Sequence, residues 1–68
     1  MKITIIGAGA MGGSTADGIL KLQPQCAGDL TVSDPMADLT RFAAAGAVTT
    51  TDNVAAVKGA DMVMVFVK

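Results

Sequence analysis

Histidine, tryptophan and tyrosine are absent from this 68-residue sequence, and cysteine occurs once. A single cysteine cannot form an internal disulfide, and without histidine no Cys/His zinc site can assemble around it. Cys26 therefore reads as a bystander near the surface or a small core hydrophobe. Aromatic residues are limited to Phe42 and Phe66, and Lys+Arg number 5 against 6 Asp+Glu, with a pI near 4.8. Such a chain offers nucleic acid neither a basic patch nor a stacking platform, and none is expected as a partner. The longest unbroken apolar run, Met62–Val67, is far below the ~18 residues of a spanning helix. One lysine and a glycine-interrupted apolar stretch at the N-terminus are not the layout of a signal peptide. A cytoplasmic protein away from membranes is the expectation. The chain has room for one domain, and at this length burial reaches only roughly 60% of the unfolded surface, so stability is marginal.

What is present is alternation. Lys2–Ile6 (KITII) is short, apolar and β-branched, as suits a strand buried on both faces. After a run of glycines, Met11, Thr15, Ile19 and Leu22 share one helical face, with Gly12, Ala16 and Leu20 beside it. Pro24 ends that helix, since its ring cannot continue the hydrogen-bond ladder. A second strand is expected at Leu30–Ser33. Asp34-Pro35 is then expected to open a second helix with Met36, Leu39, Phe42 and Ala43 as its apolar face and Gly46 beyond its end. Ala47–Thr50 reads as a weak edge strand. Asp52 is placed to cap a short helix carrying Val54 and Val57, with Gly59 as terminator. Met62–Val67 reads as a strand in the middle of a sheet. The resulting β-α-β-α-β-α-β order implies an α/β fold: a parallel sheet with helices on both faces. An apolar strand followed at once by Lys68 leaves one flank uncovered, so residues 1–68 are expected to be the front part of a longer protein.

Gly7-Ala8-Gly9-Ala10-Met11-Gly12 fits the pattern G-x-G-x-x-G. In that pattern the first glycine turns the chain out of the strand, and the second lets backbone approach a pyrophosphate. The third lets the helix pack closely on the strand. The unpartnered N–H groups at the helix start suit an anion without any lysine. Alone, the hexapeptide is equally a tight turn with no ligand. Its place between a strand and a helix, with Asp34 ending the second strand 22 positions after Gly12, supplies the context of a dinucleotide site.

Asp34 has two readings that the sequence leaves open. Its carboxylate could accept hydrogen bonds from the adenosine ribose, in which case a 2′-phosphate would meet like-charge repulsion. Alternatively it caps the second helix, with Pro35 at the first helical position. No basic residue stands at 35–37 to neutralise a 2′-phosphate, which leans the cofactor, NAD(P)H, towards NADH.

The stretches "MKITIIGAGAMGG…ADGIL", "LTVSDP" and "GAVTTTDNVAAVKGADMVMVFVK" together resemble the N-terminal portion of the pyrroline-5-carboxylate reductase family. The resemblance spans nearly the whole chain and is least clear over Lys21–Asp29. It implies a Rossmann-like cofactor domain, here residues 1–68 as its N-terminal part, followed by an all-helical domain that builds a homo-oligomer and is absent from this chain. It also implies reduction of 1-pyrroline-5-carboxylate to L-proline by hydride transfer from NAD(P)H, in proline biosynthesis. By the same resemblance Gly7, Ala8, Gly9, Ala10, Met11 and Gly12 would hold the pyrophosphate. Ser33 and Asp34 would meet the adenosine ribose, Asn53 the adenosine side, and Val67 and Lys68 the nicotinamide half. Read without it, Asn53 is a helix-start residue and Lys68 a solvated lysine.

Two departures from the family pattern stand out. Ser14-Thr15 replaces the usual Ala followed by an aliphatic residue, and Phe66 replaces a small residue beside the nicotinamide side. No residue of the chain reads as a catalytic acid, base or nucleophile, and none as a metal ligand. The chain alone is expected to be inactive, its imine substrate held by the missing domain. Related dehydrogenases of the 3-hydroxyisobutyrate or prephenate type, deazaflavin-linked NADP reductases and non-catalytic NAD(H)-sensing modules share the same loop.

Overall fold

A computed structural model describes residues 1–66; Val67 and Lys68 lie outside the described residues. The chain forms β1 (Ile3–Ile6), α1 (Ala10–Leu22), a 3-10 segment (Pro24–Asp29), β2 (Leu30–Ser33), α2 (Thr40–Ala44), β3 (Val48–Thr50), α3 (Asn53–Val57) and β4 (Met62–Val65). The four strands are parallel in the order β3-β2-β1-β4. This is a Rossmann-like parallel sheet with helices, as the alternation implied.

Register explains which face is core. Ile3 and Ile5 of β1 lie beside Leu30 and Val32 of β2, so all four project to the same side. There they meet Ala16 of α1 and Phe42 of α2, both fully buried. Thr4, between the two isoleucines, faces the other way and donates its hydroxyl to the Ala56 carbonyl of α3 at 2.6 Å. Helices α1 and α2 therefore cover one face and α3 the opposite one. The strand order reverses between β1 and β4, and a crossover of constant right-handedness must then place its helix on the other side of the sheet.

Four expectations are corrected. The helix expected to open at Asp34-Pro35 begins only at Thr40. Asp34 Oδ1 accepts from the Met36 and Ala37 N–H groups at 2.8 and 2.9 Å, and Asp38 Oδ1 accepts from the Thr40 N–H and hydroxyl. These local bonds give the 35–39 backbone an alternative to a helical ladder. Met36 and Ala43, expected on the apolar face, are exposed; Leu39 and Phe42 still reach the core.

In α1 the buried residues are Gly12, Gly13 and Ala16, with Ile19 and Leu20 packed against the core, whereas Met11 and Leu22 are exposed. The face turned to the sheet carries the small residues, which let the helix lie close, and Met11 and Leu22 fall outside it. The strand expected in the middle of the sheet over 62–67 is described as β4, Met62–Val65, at the sheet edge among the described residues. Among the described residues β4 pairs only with β1, and Met62, Val63 and Val65 are exposed. The 3-10 segment after Pro24 was not anticipated; it buries Ala27 and leaves Cys26 exposed.

Elsewhere the local chemistry is as read. Asp52 caps α3 by accepting from the Val54 and Ala55 N–H groups, Gly59 follows that helix with a φ of 76°, and β3 is an edge strand. Among the described residues no helix is long and apolar enough to cross a membrane.

Candidate functional site

The C-terminal ends of β1, β2 and β4 open into one cleft of about 990 Å³. It lies where the strand order reverses, the position at which open parallel sheets take ligands. Its floor is Ile6, Gly7, Gly9, Ala10, Met11 and Gly12. Asp34, Pro35, Met36 and Ala37 after β2, together with Asn53 and with Val65 and Phe66 at the end of β4, complete its lining.

The three glycines of the loop answer to different demands. Gly7 has a φ of 96°, donates its N–H to the Ser33 carbonyl at 2.8 Å, and a Cβ there would collide with the Phe66 carbonyl. A Cβ on Gly12 would collide with the Gly7 carbonyl. Both are required by the protein's own packing. Gly9 is not: its φ of −73° suits any residue, and nothing lies within 4 Å of where its Cβ would be. The bare backbone at Gly9 faces only the cleft.

Beside it, α1 presents its N-terminus. The first bond of the helix runs from the Gly13 N–H to the Gly9 carbonyl, at 2.8 Å. The N–H groups of Gly9, Ala10, Met11 and Gly12 find no partner among the described residues, and the first turn holds no acidic side chain. Four open donors at the positive end of a thirteen-residue helix are an arrangement that suits an anion. Ala8 differs from its neighbours. It is buried, absent from the cleft lining, and its N–H is committed to Asp34 Oδ2 at 2.8 Å.

Asp34 is half-buried at the cleft wall and carries its only titratable group among the described residues. The backbone N–H groups of Ala8, Met36 and Ala37, Ala8 foremost, hold its carboxyl below the usual carboxylate range, against a small opposing effect of burial. Neither of the two sequence readings describes it fully. It caps a turn rather than an α-helix, and it also grips the glycine loop.

Ser33, expected at the ribose, is fully buried and outside the cleft lining, and its hydroxyl is donated to Asn53 Oδ1 at 2.6 Å. Its structural effect is on Asn53, a cleft-lining residue whose side-chain oxygen it holds. Val67 and Lys68, assigned to the nicotinamide half by resemblance, lie outside the described residues. Sequence reasoning missed Ile6, Pro35, Met36, Ala37 and Val65 as cleft residues. They carry no chemical signature and reach the cleft only because strand ends and the 35–39 turn converge there. Among the described residues no cluster of His, Cys, Asp or Glu could hold a metal ion.

The family model described as NADP oxidoreductase coenzyme F420-dependent matches residues 2–68. The chain belongs to this family. No curated protein and no solved structure matches it. Membership identifies the chain as an oxidoreductase domain whose cofactor is a dinucleotide of the NAD(P) type. A loop with open N–H donors and an uncovered Gly9 fits a pyrophosphate.

Proposed function

We propose that this chain is the cofactor-binding part of an NAD(P)H-dependent reductase that converts 1-pyrroline-5-carboxylate to L-proline in the cytoplasm. The observation that carries the dinucleotide reading is the bare Gly9 backbone beside four open N–H groups at the switch point of the sheet. The substrate rests on the resemblance of "TTDN", "GAD" and the apolar run ending in "VK". When bound, the reduced nicotinamide supplies the hydride.

The part played by these residues is positioning. Gly9, Ala10, Met11 and Gly12 hold the pyrophosphate through backbone N–H groups, and Asn53 lines the same cleft. Asp34 holds the glycine loop and faces the adenosine end as a fixed anion. Its single titratable group being engaged by three N–H groups, the cleft keeps no free acid or base among the described residues. A helical dimerisation domain supplies the substrate pocket in this reading, and the chain alone is inactive.

NADH is the favoured cofactor. No described residue of the cleft is basic, and Arg41, the nearest candidate in sequence, pairs with Asp17 at 3.2 Å. A 2′-phosphate beside Asp34 would meet an anion with nothing to offset it. NADH is expected to bind roughly tenfold or more tightly than NADPH. Asp34→Ser should shrink that ratio, and an unchanged ratio would sink the assignment of Asp34 to the ribose.

The family description favours a second reading, a deazaflavin-linked NADP reductase. One assay separates the two. The full-length protein is supplied with pyrroline-5-carboxylate and each reduced nicotinamide cofactor, and in parallel with reduced F420 and NADP. Oxidation of NADH or NADPH dependent on pyrroline-5-carboxylate supports the first reading. Oxidation of reduced F420 by NADP without it overturns that reading in favour of the second.

A further inference from the structure

The glycine loop has two anchors to the end of β2. One is the Gly7 N–H to the Ser33 carbonyl, backbone to backbone; the other is the Ala8 N–H to Asp34 Oδ2, each at 2.8 Å. The next four N–H groups have no partner among the described residues. The Asp34 carboxylate is therefore the last fixed point before the open part of the loop. It is itself immobilised, since Oδ1 accepts from Met36 and Ala37 at 2.8 and 2.9 Å. Swinging Asp34 away would leave up to three backbone donors unsatisfied.

We propose that Asp34 is a positioning residue for the glycine loop. By clasping the Ala8 N–H it keeps Gly9 and the open N–H groups of α1 aimed into the cleft, whether or not it also meets a ribose. The proposal rests on the dinucleotide reading of the site and deepens it. It also carries a sign that electrostatics alone would reverse. A carboxylate beside an anion site repels a pyrophosphate, so removing one with no structural role would strengthen anion binding. Removing a clasp weakens it.

The test uses Asp34→Ser, whose hydroxyl can still accept from an N–H two or three residues on but cannot reach Ala8 at the same time. Amide hydrogen exchange at Ala8 is followed in the unliganded chain, and binding is titrated with inorganic pyrophosphate, which has no ribose, and with NADH. Expected are exchange at Ala8 faster by about tenfold or more and a severalfold weaker pyrophosphate affinity, since a hydrogen bond to a charged acceptor is lost. Unchanged exchange at Ala8 would overturn the clasp. So would pyrophosphate binding that is unchanged or tighter while NADH binding falls, because a ribose contact alone gives that pattern. Should Asp34→Ser fail to fold, Asp34→Asn keeps the shape with fewer acceptor sites, and smaller changes in the same direction are expected; no change or the opposite sign refutes. A wild-type chain that binds neither NADH nor NADPH would refute the proposed function, while exchange at Ala8 would still decide the clasp.

Discussion

Gly9→Ala separates what the fold requires of the loop from what a ligand requires. The added methyl meets no atom within 4 Å, and a φ of −73° is open to alanine. Gly9 is the N-cap of α1, where alanine is disfavoured relative to glycine by about 0.5–1 kcal/mol. Reduced entropy of the unfolded chain returns roughly 0.4–1 kcal/mol. The two nearly cancel, and Tm should move by no more than about 4 °C, since 1 kcal/mol corresponds to roughly 4–8 °C in a domain of this size.

Binding should respond quite differently. A methyl standing where the pyrophosphate must approach displaces it from N–H donors worth about 1.5–3 kcal/mol each to a charged acceptor. Losing one of them raises Kd about tenfold or more. The chain has no tryptophan, so the fluorescence of bound NADH is a clean readout. Thermal unfolding followed by circular dichroism supplies the stability arm. A variant that folds and binds NADH like the parent would refute the assignment of Gly9 to the ligand. Gly7→Ala is the contrast: positive φ and collision with the Phe66 carbonyl should destabilise the fold itself.

Three further outcomes are expected. Phe42→Ala empties the largest fully buried position and should lose about 3–5 kcal/mol, much of the stability of so small a domain; a urea midpoint near the parent's would contradict that. Asp52→Ala removes the acceptor for the Val54 and Ala55 N–H groups, lowering stability by about 1 kcal/mol in urea unfolding and, through the neighbouring Asn53, weakening NADH binding. Because the folded-state pKa of Asp34 is lowered, its stabilisation is fully present above the unfolded value of about 3.9 and is lost as pH falls through the folded value. Asp34→Asn should accordingly flatten the acid limb of a stability–pH curve, and an acid limb identical to the parent's would refute this.

Where local chemistry decided the outcome, the sequence was legible. β-branched runs marked Ile3–Ile6 and Leu30–Ser33, and Asp52 stood at the right distance to cap its helix. Where two local preferences competed, it was not. Asp34-Pro35 is a sound helix start, yet Asp38 sits where its side chain binds Thr40, and the helix waits until Thr40. The orientation of α1 was likewise hidden. Its face is chosen by how closely Gly12, Gly13 and Ala16 allow it to approach β1, and that distance depends on residues far away in the chain.

The parallel alternation, the glycine loop and the acid at the end of β2 were determined by the sequence itself, because each depends on residues a few positions apart. Only tertiary structure divided the roles within that motif. Gly7 and Gly12 serve contacts with Phe66 and with the loop, Gly9 serves the cleft, Ser33 serves Asn53, and Asp34 serves Ala8. These pairings join residues up to 59 positions apart, such as Gly7 with Phe66, and exist only once β1, β2 and β4 lie side by side. Spacing along a chain states which groups are available; register between strands decides which of them meet.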